Sequence, residues 1–75
     1  MNKARRKAIK EVCIKLQSIR DELADIQDDE QNVYDSIPEN LEDSEVAEQS
    51  GEAIDVMEEA LDDIESVIET LQEIL

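Results

Sequence analysis

Asp55, Glu58, Glu59, Asp62, Glu65 and Glu69 bring a carboxylate to each turn of a helix, one about every 5.4 Å. Rows of this kind imitate a phosphate backbone and fit a basic, nucleic-acid-binding groove on another protein. The plainer alternative is a solvated face whose acids only keep the chain soluble. Carboxylates that do acid–base work need a pocket that drives their pKa values apart, and a long acidic helix offers none. The chain has no His, no nucleophile paired with a base and no Gly-rich phosphate loop. Asp25, Asp28 and Asp29 are close in sequence, but the spacing and central Gly of a calcium loop are missing. Inward Glu-x-x-His pairs of the di-iron kind are missing too. The expectation is a non-enzymatic protein with no cofactor and no metal site.

The remaining chemistry-bearing residues have simpler readings. Cys13 is the only cysteine, so no intrachain disulfide forms, and a reducing, cytoplasmic setting fits it. With no His to act as a base it reads as a small hydrophobe on a helix flank. All seven basic residues (Lys3, Arg5, Arg6, Lys7, Lys10, Lys15 and Arg20) fall in the first twenty positions, opposed there only by Glu11. Such a run could hold nucleic acid through counterion release. A net charge of −15 and a single aromatic residue argue instead that it neutralises another part of the chain. A pI near 4.1 likewise disfavours anionic membranes, and no apolar run is long enough for a signal peptide or a span.

The elements that position these residues follow from apolar spacing. Ile54, Met57, Leu61, Ile64, Ile68, Leu71 and Leu75 recur at intervals of three and four, the signature of a helix packed along its length against another. In the first half, Ile9, Val12, Leu16, Ile19, Leu23, Ile26, Glu30, Val33 and Ile37 do the same, with Glu30 the one polar member. One Pro, one Gly and one aromatic in 75 residues complete an all-α composition. Pro38 biases Ile37 away from helical backbone, so the first helix should stop near Asp35 or Ser36. Residues 38–41 suit a single turn that tucks Leu41 onto the core, and Asp43 or Ser44 suits the cap of the second helix. The reading is one domain over 1–75: a helix over about 3–35, a turn over 36–43 and a helix over about 44–75. Gly51 lies inside the second helix and weakens it by about 1 kcal/mol relative to Ala.

The two seams fit each other when the chain folds antiparallel about residue 40. Ile9 then meets Leu71, Val12 meets Ile68, Leu16 meets Ile64, Ile19 meets Leu61, Leu23 meets Met57 and Ile26 meets Ile54. Val33 meets Ala47, and the polar pair Glu30 and Ser50 share a layer. This is an antiparallel two-helix hairpin, a coiled coil. It lays the basic N-terminal turns beside Glu65, Glu69 and Glu73 and leaves the loop end strongly acidic. A second apolar row (Ala53, Val56, Ala60, Val67 and Ile74) is left over, which predicts a homodimer closing into a four-helix bundle.

The stretch Ile37-Pro38-Glu39-Asn40-Leu41, followed by Ser44-Glu45, Glu52-Ala53-Ile54-Asp55 and Glu58-Glu59-Ala60, resembles small acidic helical proteins encoded by bacterial phages and prophages. The resemblance spans about residues 30–75. It implies an accessory or host-interaction role inside the bacterial cell and carries no catalytic residues. Two functions are expected from these readings. The first is a protein-interaction module that binds a basic host or viral partner through its acidic helical surface. The second is a structural subunit acting through oligomerisation alone; a nucleic-acid binder using the basic N-terminal turns ranks below both.

Overall fold

The computed structural model describes all 75 residues as two long helices in an antiparallel hairpin, with overall dimensions of 60 × 15 × 12 Å. Helix α1 spans Lys3–Asp35, a single 3₁₀ turn spans Glu39–Leu41, and helix α2 spans Glu45–Gln72. Asn2 caps α1: its side-chain oxygen accepts from the Arg5 N–H at 2.8 Å, satisfying one of the free donors of the first turn. At the other end the Ser36 hydroxyl donates to the Asn32 carbonyl at 2.7 Å, and the Ile37 N–H donates to the Tyr34 carbonyl. Pro38 then holds extended backbone with ψ of 147°, which closes off the helix. Ser44 caps α2 by accepting from the Ala47 N–H at 3.2 Å. Glu45 and Glu48 in its first turn sit favourably at the positive end of the helix dipole.

The facing side of α2 is the expected one. Ala47, Ser50 and Ile68 are buried, and Ile54, Met57, Leu61, Ile64 and Leu71 are half-buried along the same strip. Helix α1 is rotated from expectation. Ile9, Leu16, Leu23 and Glu30 do face α2, but Val12, Ile19, Ile26 and Val33 do not: they are between 44 and 54 % exposed. Their places in the seam are taken by Cys13, Arg20, Gln27 and Tyr34, one residue further along. Arg20 donates to Glu65, Gln27 donates to the Ile54 carbonyl (3.2 Å) and to Glu58 (2.8 Å), and the Tyr34 ring lies against Gly51. Arg20 and Gln27 thus make hydrogen bonds to α2 that a valine or isoleucine in the same column could not make.

One further expectation is corrected. Leu41 is about half exposed rather than tucked onto the core. Gly51 lies beside the Tyr34 ring: a Cβ there would stand 3.3 Å from Tyr34 Cε2. The hairpin as a whole buries little. Cys13, Ala47 and Ile68 are its only buried hydrophobic residues, a thin core for a chain near the size where cores become marginal.

Candidate functional site

Three columns of α1, each repeating every seven positions, turn toward α2: Ile9, Leu16, Leu23 and Glu30; Cys13, Arg20, Gln27 and Tyr34; and Gln17, Ala24 and Gln31. The links from Arg20 to Glu65, Gln27 to Glu58 and Tyr34 to Gly51 close one edge of the seam. The Ser50 hydroxyl donating to Glu30 at 2.7 Å fixes the column beside it. The next column outward on each helix therefore borders the opposite edge. On α1 this is Val12, Ile19, Ile26 and Val33; on α2 it is Val46, Ala53, Ala60, Val67 and Ile74. The hairpin has a polar, hydrogen-bonded edge and an apolar edge.

The register set by Glu30 and Ser50 makes that apolar edge a ladder. Val12 lies level with Val67, Ile19 with Ala60, Ile26 with Ala53 and Val33 with Val46. Val46, Val67 and Ile74 are exposed, and Ala53 and Ala60 are half-buried. Val56 is also exposed and sits one column further round. The α1 half of the ladder was hidden in the sequence because its residues also fit an inward seam. The signal that separates the two rows is chemical: Arg20 and Gln27 are the α1 groups able to pair with the carboxylates of α2.

The six acidic residues do not form one free row. Asp55, Asp62 and Glu69 are exposed and make a column with a seven-residue repeat, and Glu59 stands in the next column outward. Glu58 and Glu65 turn toward α1 and accept hydrogen bonds from Gln27 and Arg20. The Arg20 guanidinium also holds Asp21 at 3.2 Å. Its pairing with Glu65 first, and with Asp21 second, raises its pKa above the ordinary arginine value. No other basic residue forms an ion pair. The expected compensation of the N-terminal bases by Glu69 and Glu73 is therefore not made, and only Arg20 reaches Glu65. Lys3, Arg5, Arg6, Lys7 and Lys10 gather all but two of the bases at one pole, where Glu11, Glu69 and Glu73 offset part of their charge. Asp28, Asp29, Glu39, Glu42, Asp43, Glu45 and Glu48 leave the other negative.

Two hollows mark the poles. One, of about 440 Å³, lies at the loop between Tyr34, Asp35, Ile37, Glu42, Asp43 and Ala47. The other is bounded by Arg6, Lys7, Lys10 and Leu75. Neither holds a nucleophile next to a base. No group of three His, Cys, Asp or Glu side chains converges as a metal site would, and no helix is long and apolar enough to cross a membrane. The chain matches no protein-family model, no curated protein and no solved structure.

Proposed function

We propose that this protein is a non-enzymatic interaction module that binds a basic partner protein through the outer acidic face of α2. The observation that supports it is the exposed column Asp55, Asp62 and Glu69 with Glu59 beside it. These carboxylates make no ion pair within the molecule, so their charge is available to a partner at a helical repeat. Glu58 and Glu65 contribute less, because they already accept from Gln27 and Arg20. A groove built for nucleic-acid phosphates has the complementary charge, and occupying it would make the protein an inhibitor by mimicry. The likeness of about residues 30–75 to small acidic phage and prophage proteins supports an accessory role in the bacterial cytoplasm.

The test is capture of proteins from bacterial lysate at low and high salt, using the wild type and an Asp55→Ser/Asp62→Ser/Glu69→Ser variant. Mimicry requires a basic protein retained at low salt, released at high salt and lost with the variant, while helicity stays unchanged. A second reading, an assembly subunit that works by oligomerisation alone, is favoured by the exposed ladder of Val12, Ile19, Ile26 and Val33. It requires no effect of the triple change on any interaction.

A further inference from the structure

We infer that the apolar edge of the hairpin is covered by a second copy of this chain laid antiparallel, so that the basic pole of each copy rests on the acidic pole of the other. The inference holds under either reading of the function, because it concerns the edge opposite the acidic column.

Three observations carry it. The first is symmetry. Val12 and Val33 lie equally far from a midpoint between Leu23 and Glu22, and so do Ile19 and Ile26. On α2, Val46 and Val67, and Ala53 and Ala60, are equally spaced about a midpoint between Val56 and Met57. The register of the hairpin puts these two midpoints side by side. A two-fold axis through both, across the long direction, stacks Ile19 on the other copy's Ile26 and Ala53 on the other copy's Ala60. This is the self-complementary arrangement that a two-fold dimer needs. The paired alanines let the two α2 helices approach closely, and all neighbouring helices in the resulting four-helix bundle run antiparallel.

Charge is the second observation, and it selects the direction. The same axis brings the first turn of α1, with Lys3, Arg5 and Arg6, to the other copy's loop end, where Glu39, Glu42 and Asp43 lie. Within one hairpin none of these bases has an ion-pair partner. A parallel pair would instead stack the unpaired bases on bases and the loop acids on acids, which is repulsive at close range.

Area is the third. The broad side of the hairpin, 60 Å long and 15 Å wide, spans on the order of 900 Å² in projection, enough to accommodate the ~800 Å² per partner of standard stable interfaces. Only Cys13, Ala47 and Ile68 are buried as hydrophobic core in the single hairpin, while this face leaves Val12, Ile19, Ile26, Val33, Val46 and Val67 exposed.

The experiment uses the unmodified chain. Its poles lie at opposite ends of a molecule 60 Å long, so a zero-length carbodiimide cross-link between Lys3 or Lys7 and Glu39, Glu42 or Asp43 can form only between copies. Sedimentation equilibrium at micromolar concentration should give a dimer, and mass spectrometry of the cross-linked dimer should find those pole-to-pole links. Ile26→Glu and Ile19→Glu should each weaken the dimer at least about 100-fold and abolish the links, because each buries a charge without a partner. Both positions are exposed in the single hairpin, so helical circular dichroism at high concentration should persist. Ile14→Glu, on the opposite side of α1 and also exposed, should leave dimer and links intact. A monomeric wild type, a dimer without pole-to-pole links, or a dimer indifferent to both glutamates would overturn the inference.

Discussion

The Ser50 hydroxyl donates to Glu30 Oε1 at 2.7 Å, joining the one carboxylate of the α1 seam to a buried serine of α2. Shifting either helix by a turn would part this pair and leave a carboxylate against apolar side chains, so it locks the register. Its contribution to stability is a different matter, since polar layers are commonly outdone by apolar ones. Ser50→Ala alone should cost roughly 0.5–1.5 kcal/mol by removing the donor. Glu30→Leu with Ser50→Ala should raise the melting temperature above wild type. Thermal unfolding of the two singles and the double, analysed as a cycle, measures the coupling. A double variant less stable than wild type would show that the pair stabilises as well as aligns.

Gly51 sits where the Tyr34 ring crosses α2. A Cβ at 3.3 Å from Cε2 is tight, but Tyr34 is 41 % exposed and its ring has room to give by a few tenths of an ångström. The gain in helix propensity, about 1 kcal/mol, should therefore win. Gly51→Ala is expected to stabilise by about 0.5 kcal/mol once ring displacement is subtracted. Tyr34 is the only aromatic residue, so its fluorescence reports that displacement directly. Gly51→Leu, which the ring cannot accommodate, should destabilise.

The hairpin itself, its turn and the strip of α2 that faces α1 were legible in the sequence, and for one reason. On α2 the inward columns are apolar, and carboxylates fill most of the positions between them, so periodicity alone picks out Ile54 to Leu71. On α1 two adjacent columns compete. Val12, Ile19, Ile26 and Val33 are the more hydrophobic, yet Cys13, Arg20, Gln27 and Tyr34 face the partner helix. Hydropathy says that a column wants cover and is silent on which neighbour supplies it. The missing information lay in pairing chemistry: Gln27 and Arg20 are the α1 side chains that reach Glu58 and Glu65 on α2. The Glu30 and Ser50 layer was legible because both members break their apolar rows at matching heights. The splitting of the six acids into exposed and engaged groups was not, because it depends on the rotation of α1.

Arg20 is the single base paired across the hairpin. Both partners are substantially exposed, so solvent screens the pair and it should add little to stability. The raised pKa of Arg20 makes its contribution fully present below the unfolded arginine value and lost only as pH climbs through the higher folded value. Arg20→Gln should therefore lower stability slightly, and by the same amount at pH 7 and pH 9. Denaturant titrations of both proteins at the two pH values check this. A difference that shrinks between them would mean that Arg20 acts through some group other than Glu65 and Asp21.

Salt separates what holds the protein together from what it uses to bind. Residues 21–75 carry twenty-one acids and no base, and only Glu65 and Asp21 among them are ion-paired. Self-repulsion should dominate the electrostatics of the folded chain, and two copies each of charge −15 should repel as wholes despite their complementary poles. Raising NaCl from about 0.05 to 0.5 M shortens the screening length from roughly 14 to 4 Å, which relieves that repulsion. The melting temperature at fixed protein concentration should rise by several degrees, and the rise should be reproduced at equal ionic strength by KCl. A basic partner held on Asp55, Asp62 and Glu69 should respond in the opposite sense, dissociating over the same range. Ile26→Glu isolates the monomer's share of the thermal effect, because it adds a further negative charge while removing the apolar contact between copies. If salt lowered the melting temperature of the wild type, attraction between the poles would outweigh the excess of carboxylates, and the charge argument for stability would have to be reversed.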